Sequence, residues 1–427
     1  MKSFKIYRFA ILTIIGILYF FVCLHRLSPT VIARDLTISL HADAVILGII
    51  ASSYFYLYAA MQPLVGYLSD TTGPRKVMAL LFFISAAGAV IFGLAPNAMT
   101  AILGRALIGA GLAGIFIPAL KIFSRWYRAN QFAGLTGIMI TIGGLGGLAA
   151  AMPLTYLVVL LGWRGSFVAI GVLSVALAIL AWIIVRDSPA DRGWPVLNAE
   201  DNAAPRAGEE IRLSQRLVTV FGNLDFCLIC LAVFLIYGAA LSFQGLWAVP
   251  YLMDVFGLDQ VRAGWMLMAW PLGWAIAGPS VGFLSDRLHL DRKKALLWCL
   301  GLSSIGWLLL IFLQEREHLV IVVFLFFLLG LTAGGVLPLS FTITRDLFPF
   351  RLMGTATGLM NTASFFGSAV YMPLSGFLLN LTASSRPGSY SFDAYRTLLI
   401  VFLLSYAAAF IAMALLSNRK TSSASSV

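Results

Sequence analysis

The sequence is short of charge. Of 427 residues, 11% are Asp, Glu, Lys or Arg, against 60% hydrophobic, and mean hydropathy is +0.93. Soluble proteins carry roughly 25% charge, so this composition excludes a soluble fold and indicates a membrane protein. Cysteine is scarce as well, and Cys23, Cys227, Cys230 and Cys299 all fall inside apolar runs. Cys227 and Cys230 form a C-x-x-C, but at helical spacing within lipid and with no second motif. They read as small packing residues rather than as redox or metal ligands. There is no G-x-x-x-x-G-K-[ST] loop, and no soluble segment to house one, so energy must come from an ion or substrate gradient. No H-E-x-x-H stretch or nucleophile–base pair occurs in a span, which argues against an intramembrane enzyme. No cofactor is implied.

What the sequence has is apolar length. A helix needs about 20 apolar residues to cross about 30 Å of hydrocarbon. Twelve such runs fit, over 9–33, 45–68, 77–95, 99–121, 132–157, 164–185, 223–247, 262–284, 295–313, 319–342, 353–380 and 396–416. They are too long for barrel strands and do not alternate, which excludes a β-barrel. Lys2, Lys5 and Arg8 precede the first run as in a signal peptide. The run is too long for one and no clear cleavage site follows, so it reads as a retained first helix.

The formal charge of +11 is a matter of topology rather than of nucleic-acid binding. Lys2, Lys5, Arg8, Arg75, Lys76, Arg125 and most other basic residues fall on one side, and only a few, among them Arg34, Arg164 and Arg262, on the other. The positive side is cytoplasmic, which predicts a multi-pass protein of a bacterial inner membrane with both termini inside.

The polar stretch from Asp187 to Asn223 divides the spans six and six. Rich in Pro, Ala and acids, it reads as a flexible tether. The expected division is 1–186, a 187–222 linker and 223–427. The halves share a template. "GYLSD" at 66–70 recurs as "GFLSD" at 282–286, and "MPL" at 152–154 recurs at 372–374. At that second offset Gly134 meets Gly354, Pro118 meets Pro338 and Arg125 meets Arg345. The predicted fold class is an all-α membrane protein, with twelve transmembrane helices in two parallel six-helix repeats and a site expected where the repeats meet.

These motifs resemble the major facilitator superfamily over nearly the whole chain. "GYLSDTTGPRK" is similar to its loop motif between helices 2 and 3, "GFLSDRLHLDRKK" to the second copy, and "RALIGAG" at 105–111 to the helix 4 motif. A carboxylate at a helix C-terminus is disfavoured by the dipole, so Asp70 requires a cation such as Arg75, Lys76 or Arg125. Asp286 is expected to be tied likewise to Arg345. Such contacts, read as gating, could close one face in one state. The alternative is that they cap helices and set topology.

Arg26 is the residue that hydrocarbon rejects, at about 2.5–3.5 kcal/mol on insertion scales. Tyr19, Cys23, Arg26 and Thr30 share one helical face. Two placements are open: into an aqueous gap, or snorkelling to the outer surface. "LHRLSPTVIARDL" is most similar to the first helix of the anion–cation symporter branch, where an arginine at this place holds the substrate's anionic group. Here His25 replaces the aspartate that often precedes it. The second, helix 7 arginine of phosphate exchangers is absent, with Ser242 and Gln244 in that region. A single guanidinium suits one carboxylate, held bidentately. Tyr54, Tyr58 and Gln62 on helix 2, Gln244 on helix 7 and Asn361 on helix 11 are further substrate-binding candidates, with interhelical packing as the alternative for each. Helix 5 lacks the Gly-Pro pair of drug antiporters.

No acid sits at the centre of a span. His25, the histidine within one, is the candidate for carrying or gating a coupling proton; a helix-end histidine facing headgroups is the other reading. Arg105 influences coupling in proton-driven relatives, and could instead pair with a carbonyl of helix 1 or 5. Lys121 is expected to snorkel. The sequence thus predicts a monomeric secondary transporter with the lipid bilayer, protons and a small organic anion (a monocarboxylate or sugar acid) as its partners, working by symport. An exporter of a drug or metabolite and a transporter-like ligand sensor remain open.

Overall fold

The computed structural model describes residues 2–195, 213–277, 291–381 and 389–416. The chain starts with α1 (Lys2–Leu27), α2 (Pro29–Leu40), α3 (Ala44–Thr71), α4 (Pro74–Gly93), α5 (Ala98–Leu112), α6 (Phe116–Trp126), α7 (Ala129–Ala149) and α8 (Met152–Ile184). After it come α9 (Leu213–Phe221), α10 (Leu224–Ser242), a π-helical turn (Phe243–Trp247), α11 (Ala248–Phe256) and α12 (Gln260–Leu267). Helical residues 269–277 lead on to α13 (Arg292–Leu310), α14 (Leu319–Leu347), α15 (Phe350–Leu381) and α16 (Phe392–Ala414).

Ten helices among the described residues are each long and apolar enough to cross a membrane, with a shorter apolar helix over Gly134–Ala149. The runs map onto these elements with local differences, and the end of the eighth, 278–284, lies outside the described residues. The first run is not one helix, because Pro29 ends it. The fifth is α7 and the first residues of α8, and α8 goes on into the sixth past Gly162, whose φ of 67° is non-helical. The seventh continues through the π turn to Phe256. Asp and Asn side chains start several helices: Asp43 accepts from the Ile46 N–H at 2.8 Å and Asn97 from that of Thr100 at 3.0 Å. Each satisfies a donor that the first turn leaves open.

The chain forms two compact units. The first comprises 1–208 with 243–268 and 372–391, so it joins the first six spans to the ends of the seventh and eleventh. Here α3 and α15 meet backbone to backbone. A Cβ on Gly48 would lie 2.4 Å from the Met372 carbonyl oxygen, and one on Gly376 2.0 Å from that of Ala44. Only glycine permits this approach. The same unit holds Trp247, whose Nε1 donates to Ser375 Oγ at 2.7 Å, and Thr30, whose Oγ1 accepts from the Val249 N–H at 3.1 Å.

The stretch that begins at Asp187 departs from the expected tether. Residues 188–195 fold, with a 3-10 turn at Pro189–Arg192 capped by Ser188. Trp194 then packs edge-on against Phe4 and Tyr7, with ring centroids 5.3 and 5.2 Å away. Aromatic burial outweighs the local Pro and Gly signals here.

The second unit comprises 209–242, 269–371 and 392–427. Buried hydroxyls tie its helices. Tyr237 donates to the Ala333 carbonyl at 3.0 Å, Ser303 to Thr332 Oγ1 at 2.6 Å, and Tyr371 bonds Ser405 at 2.7 Å. The tryptophans of spans seven and eight divide: Trp270 packs against Trp307 in this unit, Trp247 is buried in the first, and Trp265 is exposed.

Candidate functional site: a buried arginine among tyrosines

Arg26 lies one residue before the end of α1 and is buried, at 6% exposure, inside the first unit. Its guanidinium carbon stands 5.5 Å from the centre of the Tyr58 ring. Gln62, one helical turn further along α3, is half-buried, and its Nε2 has no hydrogen-bond partner among the described residues. Tyr58 in turn stacks on Tyr54, with centroids 5.7 Å apart and planes 17° from parallel. Residues four apart on α3 share a face, which is why Tyr54, Tyr58 and Gln62 line up. The ionisable groups around the guanidinium are the phenols of Tyr54, Tyr58 and Tyr19 and the thiol of Cys23. All are uncharged near neutral pH, so the neighbourhood keeps a positive character.

Tyr19 is half-buried, one helical turn below Cys23, and its ring lies 5.7 Å from Phe116. The π turn brings Gln244 into the same unit. Gln244 is 2% exposed, and its Nε2 has no hydrogen-bond partner among the described residues. A π turn leaves one residue out of the regular helical ladder and often marks a functional position. The neighbouring Gly245 sits against the Arg26 carbonyl and Leu27. Asn361 belongs to the second unit, where its carbonyl accepts from the Ser364 hydroxyl at 2.6 Å.

His25 points to a different part of the first unit. Its ring packs against Phe21 and Phe167, with centroids 6.4 and 6.0 Å away, and its Nδ1 has no partner among the described residues. Arg105, fully buried in α5, donates from Nη1 to the His25 carbonyl at 2.9 Å. The guanidinium of Arg105 also lies 5.1 Å from the Tyr54 ring. Arg26 thus stands against Tyr58 and Arg105 against Tyr54, the two rings of one stack.

The loop motif is anchored differently from the sequence expectation. Asp70 is paired with Lys121, whose Nζ also donates to the Gly66 carbonyl at 3.1 Å. Lys121 therefore reaches a carboxylate rather than simply snorkelling. Arg75 turns to the end of α8: its backbone N–H donates to Asp187 Oδ1 at 2.7 Å and its side chain to the Trp182 carbonyl at 2.7 and 3.0 Å. Gly73 adopts a φ of 96°, and a Cβ there would stand 2.5 Å from the Asp187 carboxylate. Sequence reasoning missed Asp187 because its partners lie more than a hundred residues away. Arg125 is half-buried near the end of α6. Asp286 lies outside the described residues. Arg345 has Asp346 at 3.6 Å, and Asp346 also pairs with Arg292. Arg345 lines a cleft of about 280 Å³ with Phe341, Thr342, Met353, Gly354 and Thr357.

Beyond the first span, Gln260 Nε2 donates to the Val31 carbonyl at 2.7 Å and to Asp35 Oδ2 at 3.2 Å. Burial holds the Asp35 carboxyl above its usual range, more strongly than the Gln260 bond and the Arg34 charge pull it down.

The chain is similar to known transporters along most of its length. A probable sulfoacetate transporter of Cupriavidus necator is 27% identical over 397 residues, 88% of each chain. A probable hexose phosphate transport protein of Chlamydia pneumoniae is 23% identical over 387 residues, covering 86% of this chain and 84% of that one. The fold is similar to the crystal structure of a bacterial homolog to the human lysosomal transporter Spinster, with a TM-score of 0.75 at 17% identity over 96% and 97% of the two chains. The family model described as Major Facilitator Superfamily matches residues 9–289 and 229–426. With its twelve-span all-α architecture, this chain belongs to the major facilitator superfamily, and is a multi-pass membrane transporter rather than an enzyme.

Proposed function

We propose that this protein carries a small organic monoanion, a carboxylate, sugar acid or sulfonate, across the bacterial cytoplasmic membrane by alternating access in symport with protons. The observation that carries this reading is Arg26, a buried guanidinium set against Tyr58, with Tyr54, Tyr19, Gln62 and Gln244 in the same unit. A planar fork of donors beside hydroxyls and amides is suited to holding a carboxylate or sulfonate. One charge favours a monoanion over a dianion, since Arg105 is engaged with the His25 carbonyl. The sulfoacetate relative supports a sulfonate or carboxylate headgroup, while sulfoacetate itself, with both groups ionised, stands with hexose phosphate in the competing dianion class.

In this reading the chain works as two six-span bundles, 1–186 and 223–427, with both termini cytoplasmic as the basic residues suggest. Asn361 is the substrate-binding candidate carried by the second bundle. Asp70, Arg75 and Arg125 with Asp286 and Arg345 serve the cytoplasmic gate, and Lys121 joins them. His25 is assigned the coupling proton. The test is uptake by proteoliposomes of sulfoacetate, glucuronate, lactate and glucose 6-phosphate, each with and without an inward proton gradient. Accumulation of a monoanion that depends on the gradient supports the proposal. Preference for glucose 6-phosphate or sulfoacetate, both dianions near neutral pH, or binding without accumulation, refutes it. Uptake by His25→Gln that remains gradient-driven removes His25 from the coupling path.

A further inference from the structure

Two facts about the end of α1 fit together. In a helix, the N–H of residue 29 would bond the carbonyl of residue 25, but Pro29 has no N–H. The His25 carbonyl is therefore released from the helical ladder within a buried region. It does not stay unsatisfied: Ser28 Oγ donates to it at 3.0 Å and Arg105 Nη1 at 2.9 Å. That carbonyl belongs to the peptide bond whose nitrogen is Arg26's own. Whatever holds it fixes the plane from which the Arg26 side chain departs.

Arg105 is a costly choice for such a bond. It is fully buried, and its Nε and Nη2 have no hydrogen-bond partner among the described residues. A serine hydroxyl already reaches the same oxygen, so a charge is not needed to satisfy it. A buried guanidinium with two idle nitrogens weakens the fold unless it does something else. Its second contact shows what: the guanidinium lies against Tyr54, which stacks on Tyr58, which meets Arg26.

The geometry points to Arg105 as a positioning residue for the anion site, gripping the His25–Arg26 peptide at the carbonyl that Pro29 releases while backing the Tyr54–Tyr58 stack. It sets the direction of Arg26 from both ends and does not itself touch the anion. This rests on the proposed function and deepens it, giving Arg105 a structural grip on the His25–Arg26 peptide in place of the influence on coupling that the resemblance implies.

The experiment is a double-mutant cycle on the purified full chain, reading glucuronate affinity and the melting temperature without ligand. Arg105→Met weakens glucuronate binding about tenfold, the value of one charge-assisted hydrogen bond. Arg105→Lys, which can still donate to the carbonyl, recovers most of it. Pro29→Ala supplies the missing N–H, so in that background Arg105→Met costs much less, both in affinity and in ligand-free melting. Equal effects of Arg105→Met in both backgrounds, or Arg105→Lys as damaging as Arg105→Met, overturn the proposal. The ligand-free arm separates this from the reading beneath it. If the Pro29–Arg105 coupling appears in melting but neither glucuronate nor lactate shifts the wild type, the monoanion reading falls and the positioning assignment with it, leaving only a fold contact. If the anions bind and the coupling is absent, the monoanion reading stands and the positioning role fails.

Discussion

Replacing Arg26 by glutamine separates the two accounts that can be given of a buried arginine. At an effective dielectric of about 20, a unit charge about 4 Å from a bound anion contributes about 4 kcal/mol. The glutamine amide returns about 1 kcal/mol through a neutral hydrogen bond, so the net loss is about 3 kcal/mol, or more than a hundredfold in affinity. Stability without ligand should move the other way or not at all. Arg26 is 6% exposed, and taking a guanidinium out of water costs free energy that the uncharged Tyr58 ring beside it, unlike a carboxylate, offsets only in part in the empty protein. Melting curves with and without glucuronate measure both terms together. At a hundred times its Kd, the ligand stabilises the wild type by about 2.7 kcal/mol, and Arg26→Gln at the same concentration should show almost none of it while melting no lower when empty. A mutant that keeps the ligand shift, or collapses without ligand, refutes the reasoning, because Arg26 would then be holding the fold rather than waiting for an anion.

Asp35 supplies a dependence on pH. Burial holds its carboxyl above the usual value, so the folded arrangement binds a proton more readily than the unfolded chain. Its contribution to stability is complete below the ordinary carboxylate value and is lost as pH rises through the raised one. Asp35→Asn should therefore match the wild type near pH 4 and melt higher near neutral pH, and a mutant with the wild-type slope would exclude Asp35 as its source. Lys121→Met should lower stability by at most about 1 kcal/mol, because its partner Asp70 is 72% exposed, and should slow proteoliposome uptake by leaving that carboxylate without its cation; adding Asp70→Asn should restore the rate. Trp194→Ala should free the start of the central linker, giving faster protease cleavage near Arg192 with uptake unchanged.

The site was legible where it depends on helical spacing, and obscure where it depends on distant partners. The three-and-four rhythm was enough to place Tyr19 and Arg26 on one face of α1, and Tyr54, Tyr58 and Gln62 on one face of α3. Apolar length located the twelve spans, but Pro29, Gly162 and the π turn moved their ends, since hydropathy is blind to where a helical ladder breaks. Charge pattern alone could not choose the partner of Asp70. Arg75 and Arg125 lie in or near the motif, yet Lys121 is the side chain whose length and helix bring it to the carboxylate. Asp187 and Trp194 sit in a stretch whose composition suggests disorder, and they are ordered by surfaces that only the folded chain creates.

The contact of Gly48 with Met372, mirrored by Gly376 with Ala44, leaves no room for one added carbon. A methyl group there would act as a wedge, tolerated only in a state where the two backbones have drawn apart. Such a wedge would bias the carrier's resting population without altering any group that meets the solute. The seam is thus a handle on conformation that is chemically independent of recognition.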